Sequence, residues 1–162
     1  MLWASYFINL RIIEVGGFQY ELVSENPITK EKEECIKMHV PKGASLNEED
    51  VRSSIRKSTY EIERYFNVKD INYYIESWLL SPEVLALLDD NSNILKFSKL
   101  FSIKSMGECT RDILDFVFND VYIKDYNLLV CKTSLQVKLK SLLINKKEIH
   151  IGIGKLKQVD QI

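Results

Sequence analysis

The clearest indication of the fold comes from residues 133–154, which read TSLQVKLKSLLINKKEIHIGIG. The first half predicts an amphipathic helix, because Thr133 and Gln136 have the spacing of a capping box and leucines recur behind them at helical intervals. Asn145 is expected to end this helix in the left-handed conformation. The second half predicts a strand in which isoleucines alternate with His150 and two glycines. Its glycine-bearing face is consistent with close approach of a ligand or a backbone, and equally with ordinary packing against a helix.

Three strand signals lie near the N-terminus. Residues 10–15 and 18–23 are strand-like runs joined by Gly16-Gly17, and two glycines supply the positive φ angles that a tight hairpin turn needs. Residues 36–40 alternate apolar and polar side chains, which predicts a third strand. The sheet is therefore expected to contain at least one antiparallel hairpin.

The middle of the chain contains the remaining helix and strand signals. Helices are predicted from the Ser45–Glu48 capping box to about Asn67, from Ser81-Pro82 to Leu88, and from the Ser105–Glu108 capping box to Val117. Strands are predicted over residues 71–80 and 94–103, and residues 121–131 are left open between strand and loop. Helices and strands thus interleave irregularly. The sequence predicts one α+β (mixed α/β) domain over residues 1–162, with a central, largely antiparallel or mixed sheet, flanking helices and a short entry segment over residues 1–9.

Composition and charge exclude several classes of protein. The 22 basic and 23 acidic residues give a net charge of −1, so no basic field exists to attract nucleic acid. The three cysteines form no C-x-x-C pair and the two histidines do not complete a zinc set, so no metal and reduced thiols are expected. The N-terminal sequence has the pattern of neither a signal peptide nor a membrane span. We therefore expect a cytoplasmic protein that binds neither nucleic acid nor membrane.

Several short motifs resemble one family when they are taken in chain order. They are Leu10-Arg11-Ile12, Phe18-Gln19-Tyr20-Glu21-Leu22, Met38-His39-Val40-Pro41-Lys42-Gly43, Ser77-Trp78-Leu79-Leu80-Ser81-Pro82, Asn91-Ser92-Asn93-Ile94, Thr133-Ser134-Leu135-Gln136 and the glycine-bearing end. Together they cover the chain from about Leu10 to Leu156. In this order they resemble the C-terminal domain of two-domain bacterial acyltransferases, the GNAT-like C-terminal domain family.

The resemblance implies acyl transfer from acyl-CoA or acetyl-CoA to an amine or hydroxyl acceptor, a small-molecule substrate. Members of the family usually carry a preceding N-terminal acyltransferase domain, and this chain begins about where that connection would be. The resemblance therefore implies either a partner N-terminal acyltransferase domain or a homodimer. Trp3, Tyr6 and Phe7 would form an apolar edge suited to such a contact.

One departure from the general GNAT pattern supports a rival hypothesis. The acyl-CoA signature R/Q-x-x-G-x-G/A, whose backbone N–H groups hold the cofactor pyrophosphate, is absent from this sequence. A non-catalytic substrate-binding or interaction module, acting beside a separate N-terminal domain, is therefore the second hypothesis. A structural remnant without a ligand is the third.

Three residues are candidates for catalysis. His39 is the candidate base that takes a proton from the attacking amine or hydroxyl, because imidazole titrates near neutral pH. Glu21 and Glu76 are its candidate partners, since a carboxylate desolvated beside an aromatic side chain has its pKa raised towards a useful range. The alternatives are a histidine hydrogen-bonded on a sheet face and solvated or ion-paired glutamates.

Four residues are candidates for binding. Thr133 and Ser134 begin a predicted helix, where free N–H groups suit a cofactor phosphate or carboxylate; a plain helix cap is the alternative. Asn93 is a candidate to donate its amide to a substrate carbonyl, and its alternative is a turn residue. Ser77 is a candidate substrate contact. No G-x-S-x-G elbow surrounds it, so it is not expected to be a nucleophile.

Overall fold

The computed structural model describes residues 11–157, with the side chains of Ser105, Met106 and Glu108 left out. The predicted entry segment, with Trp3, Tyr6 and Phe7, lies outside the described residues. Within them, six strands form one sheet: β1 Ile12–Val15, β2 Phe18–Glu25, β3 Lys32–His39, β4 Asn72–Ser77, β5 Phe101–Glu108 and β6 His150–Leu156. The strand order is β1-β2-β3-β4-β6-β5. Only β3 and β4 pair in parallel among these strands, so the sheet is mixed and the predicted α+β class is confirmed.

Five α-helices accompany this sheet in the described part of the chain. They are α1 Glu48–Phe66, α2 Pro82–Leu85, α3 Asn93–Ser98, α4 Thr110–Ile113 and α5 Ser134–Ile144. Short 3-10 turns occupy Trp78–Leu80 and Tyr126–Leu128, and a π-helical turn, Leu114–Phe118, continues α4. The segment left open between strand and loop, residues 121–131, is therefore a loop with one 3-10 turn. No helix in residues 11–157 is long and apolar enough to cross a membrane.

The predicted N-terminal hairpin is confirmed. Gly16 and Gly17 adopt φ angles of +59° and +81°, the left-handed values for which glycine is suited. The turn also packs against α1. The Ser54 hydroxyl donates to the Val15 carbonyl at 2.6 Å, and the buried Tyr20 hydroxyl lies 2.7 Å from the Ser54 hydroxyl oxygen. This contact ties the hairpin to the longest helix.

Two clusters of buried side chains form the core. One lies between the sheet and α1, where Val51, Ile55 and Ile62 are at most 1% exposed. The other lies under α5 and includes Leu139 and Leu143. The first cluster occupies one face of the sheet only, so the opposite face of β2, β3 and β4 carries the polar side chains.

The predicted start of α1 was wrong. Asn47 is the N-cap and its side-chain oxygen accepts from the Glu49 N–H at 2.9 Å. The Ser45 hydroxyl instead donates to the Asp50 carboxylate at 2.6 Å, so the expected box with Glu48 does not form. The cap lies two residues later because an Asx contact competes successfully with the serine.

The predicted strand over residues 94–103 was also wrong at its start. Residues Asn93–Ser98 form α3, with Phe97 buried against the first core cluster, and the strand begins only at Phe101. Because that strand runs to Glu108, the residues predicted as a second capping box, Ser105 and Glu108, belong to β5. The helix that follows begins at Thr110.

The other two differences lie at element ends. Strand β4 ends at Ser77, three residues early, because the Ser77 hydroxyl accepts from the Leu79 N–H and starts a 3-10 turn. Asn145 does not adopt the left-handed conformation predicted for it: its φ is −79°, and Lys146 takes a φ of +52° instead. The predicted capping box at Thr133 and Gln136 is confirmed.

The glycines of β6 serve packing. A Cβ atom on Gly152 would lie 2.2 Å from the Leu80 carbonyl oxygen, and one on Gly154 would lie 2.6 Å from the Leu80 side chain. Of the two interpretations, close approach of another backbone is therefore the one realised at Gly152. This contact fixes the turn after β4 against the sheet.

Candidate functional site

The site lies at one end of the parallel strands β3 and β4. In a parallel pair the carboxyl ends of both strands lie at the same edge. The paired register of β3 and β4 ends at Met38 opposite Ile75, and His39 and Glu76 follow directly. A cleft of about 580 Å³ opens beyond that point. This is the position at which open α/β sheets commonly bind ligands.

His39 lies in this cleft, bound to a carboxylate of the neighbouring strand. Its Nε2 is 2.9 Å from Oε2 of Glu21 on β2, and the Glu21 residue is 8% exposed. Burial lowers the pKa of His39 below its usual 6.5, and the hydrogen bond and charge of Glu21 only partly oppose this shift. The imidazole is therefore mainly uncharged at neutral pH. Because an ionised carboxylate can only accept, Nε2 is the donor of this contact when the Glu21 side chain is ionised.

Glu76 lies in the same cleft but binds a different partner. Its Oε2 accepts from Lys37 Nζ at 2.7 Å, and the two side chains are 34% and 28% exposed. Glu76 is therefore the ion-paired glutamate that the sequence left as an alternative. Glu21 is the residue that contacts the histidine.

The remaining lining divides into an apolar and a polar part. Apolar side chains of the cleft are Val40, Ala44, Leu46, Trp78, Leu79, Ile94 and Phe116. Polar side chains are Gln19, Lys42, Asp112 and Asp115, beside His39, Glu76 and Ser77. Burial, and then the charges of Glu76 and Asp115, raise the pKa of Asp112. The cleft is thus amphipathic.

Lys42 joins two walls of the cleft. Its Nζ donates to the Asp115 carbonyl at 3.0 Å and to the Asn119 side chain, and it lies over the Phe116 ring. The loop after β3 is thereby tied to the π-helical turn after α4. Neither Lys42 nor Asp112 was a sequence candidate. No spacing in the sequence reveals that these two segments, some seventy residues apart, face one cleft.

The structure brings together four of the seven candidates. His39, Glu76 and Ser77 line the cleft and Glu21 contacts His39. Asn93 is exposed at the first turn of α3 and does not line it, although the next residue, Ile94, does.

The two candidates for cofactor binding lie elsewhere. Thr133 caps α5 by accepting from the Gln136 N–H at 3.2 Å, and the Gln136 side chain accepts from the Thr133 N–H in return. Neither Thr133 nor Ser134 lines the cleft. A cofactor contact at these two residues stays a prediction. Among residues 11–157, no group of three or more His, Cys, Asp and Glu side chains could hold a metal ion.

Comparison with known proteins gives one family match and several solved structures of similar fold. The model of the GNAT-like C-terminal domain matches residues 12–156. A solved acyltransferase in complex with decanoyl-CoA has a TM-score of 0.80 at 21% sequence identity, over 95% of this chain and 48% of that chain. An acyltransferase in complex with CoA and 10C-teicoplanin has the same TM-score and identity, over 96% of this chain and 49% of that one. No curated protein matches. The chain spans about half the length of these acyltransferases, and at this identity the likeness shows the fold.

Proposed function

The chain belongs to the GNAT-like C-terminal domain family, and from this premise we propose that it transfers an acyl group from acyl-CoA to an amine or hydroxyl acceptor in the cleft. The observation that carries the proposal is the His39–Glu21 pair at the edge of an amphipathic cleft. The acyltransferases of similar fold are complexes with decanoyl-CoA and with CoA; one of them also contains teicoplanin and another 10C-teicoplanin.

In the proposed reaction His39 is the base. Its uncharged ring accepts a proton at Nδ1 as the acceptor nitrogen or oxygen attacks the thioester carbonyl carbon. The new bond forms, the carbon–sulfur bond breaks, and the proton passes to the departing thiolate to give CoA thiol. Glu21 holds the ring orientation and stabilises the imidazolium that exists during the transfer, as a buried carboxylate does for a catalytic histidine.

The cleft suits the acyl end of the donor. The apolar wall at Leu46, Leu79 and Ile94 would cover a hydrocarbon chain, since each buried CH₂ contributes about 0.8 kcal/mol. The polar wall would hold the acceptor near His39, with Ser77 as a contact. For the pyrophosphate, the usual glycine loop is missing, and Thr133 with Ser134 at the start of α5 is our proposed substitute.

Ligand-dependent stability tests donor binding. A ligand at one hundred times its dissociation constant stabilises the native state by about 2.7 kcal/mol, which corresponds to a rise in Tm of roughly 5–10 °C for a chain of this size. We expect such a rise with decanoyl-CoA or acetyl-CoA and a smaller rise with CoA alone. Release of CoA thiol in the presence of a primary amine or an alcohol then identifies the acceptor. No rise with any thioester contradicts donor binding by this chain.

A second candidate function is supported by the length comparison. Because the chain spans about half of the acyltransferases that it resembles, it is also suited to a non-catalytic role beside an N-terminal acyltransferase domain. In that role the cleft would bind the acceptor only. A rise in Tm with a candidate acceptor, and none with any acyl-CoA, would favour this function. A homodimer is the alternative assembly, which sedimentation distinguishes.

The setting proposed for this function is the cytoplasm of a bacterium. It rests on the resemblance and on the odd number and wide spacing of the three cysteines, a pattern typical of reduced thiols.

A further inference from the structure

Two basic and two acidic side chains form a crossed pattern on the polar face of the sheet. Lys37 and His39 are two positions apart on β3 and therefore point to the same face. Glu21 stands directly opposite Lys37 in the β2–β3 register. Glu76 follows Ile75, the partner of Met38, and so stands beside His39.

The ion pairs formed are the diagonal ones. Lys37 binds Glu76 at 2.7 Å rather than its direct neighbour Glu21, and His39 binds Glu21 at 2.9 Å rather than its direct neighbour Glu76. Direct neighbours are closer than diagonal ones in a sheet, so the alternative pairing is accessible to the same four side chains. Something must select between the two arrangements.

We propose that Lys37 is a positioning residue, which holds the Glu76 carboxylate on the diagonal and so directs the His39 ring to Glu21. The inference rests on the proposed function, in which His39 is the base. It assigns Glu76 a role through Lys37 rather than a direct one. The ring orientation that results turns Nε2 towards the Glu21 carboxylate.

The charges around His39 agree with this assignment. Burial is the largest influence and lowers the pKa of His39; the charges of Glu21 and Glu76 raise it, and that of Lys37 lowers it. Lys42, Asp112 and Asp115 are the other charged groups that line the cleft. Loss of Lys37 removes one repelling charge and releases one attracting carboxylate. Both changes favour the imidazolium, which cannot act as a base.

Exposure of the pair argues against a mainly structural role. Both partners are about one-third exposed, and ion pairs of this kind contribute little to stability. The charges of Lys37 and Glu76 act on the more buried His39 ring with less screening by solvent than on other surface groups. The expected consequence of breaking the pair is therefore a shift in the titration of His39 and not unfolding.

NMR titration of the two histidine rings tests the inference without any substrate. The full chain carries Lys37→Met, Glu76→Gln, both changes together, or Lys37→Arg, and His39→Gln assigns the signals. We expect Lys37→Met to raise the pKa of His39 by about one unit and Glu76→Gln to lower it. In the double variant the pKa of His39 should return near its wild-type value, and in Lys37→Arg it should equal the wild-type value. His150 serves as the internal reference and should not shift in any variant.

A control and a second readout separate this inference from the proposed function. Lys155→Met removes a lysine from the same face, where its ammonium lies over the Tyr74 ring, and should leave His39 unchanged. If Lys37→Met shifts His39 no more than Lys155→Met does, the inference is overturned. If acyl transfer occurs, Lys37→Met should lower kcat/KM up to about tenfold on the acidic limb only. A shifted titration without that change would support Lys37 as the positioning residue and remove His39 as the base.

Discussion

In the described part of the chain, two histidine–glutamate pairs have the same contact distance but different surroundings. His39 and Glu21 join β3 to β2, and His150 and Glu83 join β6 to α2; both contacts are 2.9 Å long. The two pairs differ in what else the carboxylate binds. They differ also in what lies beside the histidine.

The Glu83 carboxylate is fully engaged in holding two elements together. Its Oε2 accepts from the His150 backbone N–H at 3.0 Å and from the Ser81 hydroxyl at 2.9 Å, while Oε1 faces the His150 ring. Burial would raise the pKa of Glu83, but the hydrogen bonds outweigh it and lower that pKa to about 2. A carboxylate bound in this way stabilises the fold and has little capacity to respond to a substrate.

The His39 pair, by contrast, borders open space. Its histidine lines a cleft of about 580 Å³ beside an apolar wall. A histidine beside a carboxylate is therefore not by itself evidence for a catalytic site; the proposal for His39 rests also on the space next to its ring and on its position at the edge of a parallel pair. Replacing each of the two histidines in turn is the most direct test of this comparison.

The largest effect is expected for His39→Ala. Loss of a general base lowers kcat/KM about 10²–10⁴-fold, and the buried Glu21 carboxylate loses a hydrogen-bond partner, which costs about 1–3 kcal/mol of stability. His150→Ala should leave turnover near normal and cost about 1 kcal/mol, because only the ring contact with Glu83 is lost and the backbone N–H bond remains. An acyl-transfer assay and urea unfolding of both variants measure these effects. Equal turnover in the two variants would contradict the distinction.

Gly152→Ala should strongly destabilise the region where β6 packs against the turn after β4. Its Cβ atom would meet the Leu80 carbonyl at 2.2 Å, and a backbone atom cannot move aside cheaply. We expect a loss of about 3 kcal/mol or more, as overpacking gives in tight cores. Lys155→Ala in the same strand is exposed and should change stability by less than about 0.5 kcal/mol. A Gly152→Ala variant as stable as this control would show that the turn after β4 is free to shift.

Much of this arrangement was accessible from the sequence, because its signals are local. The Gly16-Gly17 hairpin and the capping box of α5 each depend on a few adjacent residues, and both are confirmed. The errors occurred where a local preference met tertiary packing. Residues 94–98 look strand-like, but burial of Phe97 against the core favours a helix.

The site was only partly accessible for the same reason. Glu21 and Glu76 were both candidate partners of His39, and which of them contacts it depends on the β2–β3 register, which the hairpin pattern does not specify across the longer connection. Lys42 and Asp112 had no signal in the sequence, because they line the same cleft only once the chain has folded. The sequence indicates the chemistry of individual side chains but not which side chains contact each other.

Acid unfolding sharpens the comparison further. The folded pKa of Glu83 is about 2, well below its ordinary value of 4.5, so its contribution is present above pH 4.5 and is lost as the pH falls towards 2. Allowing for partial exposure, we expect Glu83→Gln to cost about 1–2 kcal/mol at pH 6 and progressively less below pH 4. Glu148→Gln, at a carboxylate 3.7 Å from His150 and largely exposed, is the matched control and should have no such effect. Denaturant unfolding at pH 6, 4 and 3 measures the difference, and a constant cost at all three values would contradict it.

The smallest predicted effect concerns the pH dependence of turnover. Burial lowers the pKa of His39, so the acidic limb of kcat/KM should have its midpoint below 6.5, with activity lost as the ring gains its proton. Glu21→Gln retains an acceptor for Nε2 but removes a charge that favours the imidazolium. The midpoint should therefore move lower still, by less than about one pH unit. Glu83→Gln, at the other pair, should leave the midpoint in place. A limb that follows Glu83 rather than Glu21 would reverse the roles of the two pairs, because the histidine that titrates during turnover must be the one beside the substrate.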